Sequence, residues 1–149
     1  MIYRFANKND AFTLTKHRIH FFESISNKTQ KVNFDNVLGY ISDHIGNDLI
    51  ALIAIENDCI ISSCFACIYN ILPTPNCPNG VCAELLNVYT VKNYRNKGIA
   101  SEIVDTLISK LYNLGVTKIR LTSTDKSQYL YLKKGFKFNH QYMDLTLTE

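Results

Sequence analysis

The chain has 149 residues, 46% hydrophobic and 19% charged, which is enough for one domain spanning 1–149 with a buried core and unlike a disordered or fibrous protein. Sixteen Lys and Arg against thirteen Asp and Glu leave a net charge of +3, which gives no reason to expect nucleic acid as a partner and suits a small anionic ligand. No apolar run is long enough to span a bilayer, and Met1-Ile2-Tyr3-Arg4-Phe5 lacks the apolar core of a signal peptide, so a cytoplasmic chain with no membrane partner is expected.

In chain order, Asn9-Asp10 reads as the cap of a first helix over 11–24. A second, weaker helix is expected over 33–44, carrying Val37, Leu38 and Ile41, and Gly46-Asn47-Asp48 then breaks the chain. Residues 49–55 and 59–71 read as strands joined through the turn Glu56-Asn57-Asp58. All three prolines fall in 73–80, a loop, and 81–91 returns to strand. The clearest helix follows Gly98: Ile99, Ile103, Val104, Leu107 and Leu111 recur at helical spacing, and Gly115 ends it. A short strand over 117–122, a helix over 125–134 and one or two closing strands over 136–147 complete an α/β chain with a mixed sheet.

Cys59, Cys64, Cys67, Cys77 and Cys82 make an odd set without a disulfide framework. Cys64 and Cys67 form a CxxC, but on a strand residues three apart point to opposite faces. Buried free thiols are the better reading, and no metal is expected.

The turn Tyr94-Arg95-Asn96-Lys97-Gly98-Ile99-Ala100 joins a strand to the strongest helix. A basic, glycine-containing turn there points backbone N–H groups out of a helix N-terminus, a ready site for phosphate or pyrophosphate. A solvated helix start is the plain alternative.

The whole pattern resembles the GNAT superfamily of acetyl-coenzyme A-dependent N-acetyltransferases. Its cofactor motif, Arg or Gln, two residues, Gly, one residue, Gly or Ala, is matched by Arg95-Asn96-Lys97-Gly98-Ile99-Ala100. Its second signature is matched by Tyr131 with Gly135-Phe136. Asn87-Val88-Tyr89-Thr90 before Tyr94-Arg95 looks like a branch of small bacterial acetyltransferases whose substrates are mostly unassigned.

The resemblance implies a mostly antiparallel, twisted sheet of about seven strands with about four helices, splayed between the fourth and fifth strands. Acetyl-CoA would lie in that gap as cosubstrate, its pyrophosphate held by Arg95, Asn96, Lys97, Gly98, Ile99 and Ala100. Its pantetheine would pair with backbone groups of Tyr89, Thr90 and Val91, one N–H facing the thioester carbonyl. Thr124 and Ser127 occupy cofactor-contacting positions where the family often carries Asn and Ala, which weakens that contact. Tyr131 matches the tyrosine that protonates the departing thiolate, with a half-buried aromatic as the plain reading.

Glu84 lies eleven residues before Arg95, the offset at which the histone-acetyltransferase branch carries its general base. A strand glutamate facing solvent competes evenly with that role. His17 and His20 are neighbours on the first helix and could reach a substrate pocket, or simply pack. The first two helices and the 73–80 loop would shape the acceptor pocket.

The expected activity is acetyl transfer from acetyl-CoA directly to a primary amine of a small molecule or peptide, in a ternary complex, by a monomer or homodimer. A non-catalytic CoA-binding sensor is the alternative, and a zinc or interaction protein built on the cysteines a weaker third.

Overall fold

The computed structural model describes residues 1–26 and 31–148. Its centre is a five-stranded sheet in the order β1-β2-β3-β4-β5. These strands are Ile2–Phe5 (β1), Leu49–Glu56 (β2), Cys59–Asn70 (β3), Val81–Thr90 (β4) and Lys118–Leu121 (β5). The first four are antiparallel neighbours, and β5 joins β4 in parallel. Helices α1 (Ala11–Ile25) and α2 (Phe34–His44) cover one face; α3 (Ile99–Asn113) and α4 (Gln128–Lys133) cover the other.

Two covered faces explain why β2 is apolar almost throughout. Leu52 and Ala54 pack toward α3, while Ala51 and Ile53 pack toward α1 and α2. The stripe Ile99, Ile103, Val104, Leu107 and Leu111 seats α3 on the sheet. Burying such side chains stabilises by about 1.5–3 kcal/mol each. Lys134 then ties α4 to α3: its Nζ donates to Asp105 Oδ1 at 2.6 Å and to Ser101 Oγ at 2.8 Å.

The second helix covers Phe34–His44, close to the expected 33–44, and the Asn33 side chain caps it by accepting from the Asn36 N–H. The first lacks the expected Asn9-Asp10 side-chain cap. Asn7 accepts from the Asn9 N–H and Asp10 accepts from the Asn7 N–H, a reciprocal cap over the 3-10 turn Lys8–Asp10 that precedes α1. Arg4 grips the same Asp10 carboxylate with two contacts of 2.8 Å and holds it below the usual carboxylate range.

Among the described residues there are five strands where about seven were expected. The N-terminus adds β1, which pairs along β2 from Ile2↔Ile55 to Phe5↔Leu52. The closing strands expected over 136–147 do not form. Met143, Leu145 and Leu147 alternate as a strand would, yet they are 94%, 85% and 89% exposed. Strand β5 keeps a free edge, but alternation makes a strand only where one set of side chains also finds a core to bury into.

Candidate active site

Residues of β4 from Cys82 to Leu85 pair with Lys118 to Leu121 of β5, and there the pairing ends. Strand β4 runs on to Thr90 against β3 alone, so the sheet opens between its fourth and fifth strands. A bulge falls at the start of the opening: Asn87 takes φ +52, and the β3–β4 register slips between Ser63 and Phe65. An extra residue of this kind bends its strand and re-aims the groups beyond it.

The direction of each backbone group along the opening follows from one hydrogen bond. The Val91 N–H donates to the Ile61 carbonyl of β3 at 2.9 Å. Alternation along an extended strand turns Thr90 and Val88 the other way, into the gap, and keeps Tyr89 on the β3 side. Of the three residues expected to offer backbone groups, only Thr90 therefore points its N–H into the opening. Tyr89 and Val91 turn theirs toward β3, where Val91 donates to Ile61. Val88 is the residue the sequence reading missed; its direction is legible only once the bulge fixes the register.

Beyond β4 a 3-10 turn, Lys92–Tyr94, leads into the basic stretch. Asn96 and Gly98 both take left-handed backbone, φ +61 and +80. Gly98 stands at the N-cap of α3 and has no side chain to close it. The first return bond is Glu102 N–H to the Gly98 carbonyl at 3.1 Å. The N–H groups of Ile99, Ala100 and Ser101 precede that bond and have no partner within the helix. They point outward at an end carrying about half a positive charge.

The basic side chains stay beside this row rather than in it. Arg95 Nε donates to the Thr90 carbonyl at 2.8 Å, and its guanidinium lies 5.9 Å from the Tyr89 ring centre. Lys97 Nζ lies 5.1 Å from the Tyr94 ring centre.

On the α3 side, Tyr131 of α4 is buried in the core, its ring edge-on to Phe136 at 5.8 Å. It lies beside Cys64, the β3 residue at the register slip opposite the bulge. Burial pushes its phenol above the ordinary value, so it holds its proton firmly at neutral pH. Thr124 and Ser127 face each other just before α4, hydroxyl to hydroxyl at 3.1 Å, and Ser127 Oγ also accepts from the Thr124 N–H. Their polar groups brace the turn that launches α4.

On the α1 side, Glu84 is half-buried on β4, opposite Cys67 of β3 and Arg120 of β5. It stands one residue before the last β4–β5 pair, close enough to bear on Arg18 of α1. His17 is buried, edge-on to Tyr89 at 5.1 Å, with its Nδ1 2.9 Å from Ser63 Oγ. Asn87 Nδ2 donates to the same Oγ at 3.5 Å, and its Oδ1 is buried with no partner. Burial pushes His17 down to about 4, so it is neutral near pH 7. His20 lies 6.2 Å from the Tyr89 ring centre, on the exposed side of the helix.

The 73–80 loop does not overhang the opening. Asn79 Nδ2 donates to the Gly115 carbonyl at 2.8 Å and Asn79 Oδ1 accepts from Thr117 Oγ1 at 2.7 Å, which fixes the loop where β4 begins. Thr90 is at the other end of that strand, about 30 Å away for an extended run of this length. Cys64 packs toward α3 and Cys67 toward α2, as strand alternation requires, so the CxxC cannot close on a single ion. The Cys77 and Cys82 sulfurs lie 3.2 Å apart, both free thiols, at the loop end of β4.

Residues 13–136 match the model of the acetyltransferase (GNAT) family. The chain is similar to the crystal structure of a predicted acetyltransferase with acetyl-CoA from Clostridium acetobutylicum. That match has 25% identity and a TM-score of 0.88, over 98% of this chain and 96% of that one. A GCN5-related N-acetyltransferase from Ralstonia eutropha has the same fold, with 15% identity, a TM-score of 0.88 and 99% of both chains covered. So does an aminoglycoside N-acetyltransferase in complex with CoA, with 15% identity, a TM-score of 0.77, and 97% and 93% covered. No curated protein sequence matches the chain significantly.

Proposed function

The chain belongs to the acetyltransferase (GNAT) family, and we propose that it moves the acetyl group of acetyl-CoA directly to a primary amine. What supports this reading is a row of N–H groups, turned into the opening by strand alternation and left without a helical partner at the start of α3 among the described residues. They run from Val88 and Thr90 in the β4–β5 opening to Ile99, Ala100 and Ser101 at the start of α3. An elongated ligand with a polar arm at one end and a pyrophosphate at the other suits that row. The left-handed Gly98 leaves the approach clear, since a Cβ built there meets no atom within 4 Å.

When bound, acetyl-CoA supplies an activated acetyl thioester, whose C–S bond breaks as the C–N bond to the amine forms. The Val88 or Thr90 N–H is placed to stabilise charge on the carbonyl oxygen, a contribution worth about 10²–10³ in rate. Tyr131 gives its phenolic proton to the leaving sulfur, a role suited to a group kept protonated by burial. Glu84 takes the proton released by the amine, through water, because it sits four residues along β4 from Val88. Thr124 and Ser127 support α4 and thereby the Tyr131 position.

The test is thiol release from acetyl-CoA across a panel of primary amines. Release that depends on the amine supports the proposal. A protein that binds CoA yet releases no thiol with any amine acts instead as a cofactor-binding sensor.

A further inference from the structure

A cavity of ≈ 250 Å³ lies between α1, α2 and the sheet, on the face opposite α3. Its walls are mostly apolar, from Val37, Tyr40, Ile41, Phe65 and Leu86, and one cationic side chain, Arg18, reaches into it. Leu86 is the first β4 residue without a β5 partner, so the cavity borders the opening directly. Its volume is below the ~300–1,000 Å³ of pockets that hold drug-sized ligands, which favours one small metabolite over an oligosaccharide or a folded peptide.

Arg18 is the informative residue. Its guanidinium packs 4.4 Å from the Phe22 ring centre, and it forms no ion pair with any described residue. Burial disfavours its charge, and the nearby carboxylate that offsets this is Glu84, which makes no ion pair with it. A cation partly withdrawn from water without a paired carboxylate is costly, and a ligand carboxylate would complete it. The planar fork of Arg engages a carboxylate through two parallel hydrogen bonds. Glu84, on the strand beneath, two residues before Leu86 and paired with the lining residue Cys67, supplies negative charge for an ammonium group.

We propose that this cavity takes the acceptor as a single α-amino acid with an apolar side chain. Arg18 holds its carboxylate, the apolar wall holds its side chain, and its amine faces Glu84 and the thioester. This assignment rests on the acetyl-transfer reading for its role, but the cavity can be tested independently of turnover.

The experiment titrates CoA-loaded protein with L-leucine, L-phenylalanine and their decarboxylated counterparts, 3-methylbutylamine and 2-phenylethylamine, followed by calorimetry. The amino acids are expected to bind about tenfold tighter or more than the amines, the scale of a lost charge-assisted hydrogen bond. Arg18→Gln should bring acids and amines level, and Arg18→Lys should recover part of the preference. CoA binding to each variant verifies its fold. If Arg18→Gln does not fold, Arg18→Lys and the wild-type comparison decide the matter. Equal binding of acids and amines by the wild type overturns the proposal, as does a preference that survives in Arg18→Gln or no binding of any probe to CoA-loaded protein. Arg18-dependent amino-acid binding without thiol release from acetyl-CoA would keep the cavity assignment and remove acetyl transfer.

Discussion

The Arg95 guanidinium turns back on the strand it follows, its Nε donating to the Thr90 carbonyl at 2.8 Å. The residue that anchors the sequence motif therefore braces the strand end whose N–H groups line the opening. Its charge stands beside the cradle, and its geometry fixes one rim. Arg95→Ala should raise the CoA dissociation constant several-fold while leaving the melting temperature nearly unchanged, because the side chain is exposed. Arg95→Lys separates the two roles in the same titration. A lysine that restores affinity fully would show that only charge matters there.

Gly98 and Gly46 make a matched pair. Both take left-handed backbone, φ +80 and +87, and a Cβ at either meets nothing within 4 Å. Alanine at each position should cost about 1–2 kcal/mol of stability for the same backbone reason. Only Gly98→Ala should also weaken CoA, because its Cβ would stand where the phosphates approach. Denaturant unfolding and CoA titration of the two variants measure this. Equal CoA affinity in both would remove the cradle from the start of α3.

Tyr131→Phe should lower kcat by about 10²-fold or more with CoA affinity preserved, the signature of a lost general acid. Since burial raises the folded phenol above its ordinary value, the unfolded chain loses this proton first. Tyr131 should therefore favour the folded state less and less as pH rises above ~10, and this part of the alkaline decline should vanish in the phenylalanine variant. Single-turnover kinetics and alkaline denaturation examine the two effects separately.

His17 gives the opposite limb. Its folded value of about 4 lies below the ordinary ~6.5, so between those values the unfolded state binds the extra proton. Stability should fall as pH drops through this window, by roughly 3 kcal/mol at most from this group. His17→Gln should flatten the dependence, read as urea midpoints at pH 7 and pH 4.5. An unchanged slope would mean that the ring does not stay neutral in the folded state.

Much of this architecture is legible in the residues themselves. The α3 stripe, the helix over 33–44, the hairpin at Asn57-Asp58 and the glycine turn before α3 are local features, written within a few positions of where they act. What escaped is non-local. Strand β1 exists because β2 offers an edge to Ile2–Phe5, a run broken by Arg4. The 136–147 segment alternates correctly but has no core to bury into: Met143, Leu145 and Leu147 stay exposed although β5 keeps a free edge. The bulge at Asn87 decides that Val88 and Thr90, not Tyr89 and Val91, face the opening. It depends on pairing with β3, which no run of β4 residues announces. The Arg18 cavity draws walls from α1, α2 and three strands, so no sequence window contains it.

The central claim is that the opening of β4 and the start of α3 together hold CoA, and the most direct measurement is the thermal unfolding of the protein titrated with CoA. A ligand bound only by the folded chain adds about 2.7 kcal/mol at a concentration 100 times its dissociation constant. The expected result is a saturable rise in melting temperature with CoA that is reduced in Gly98→Ala and retained in Gly46→Ala. A melting temperature that does not move with CoA at any concentration would contradict the claim.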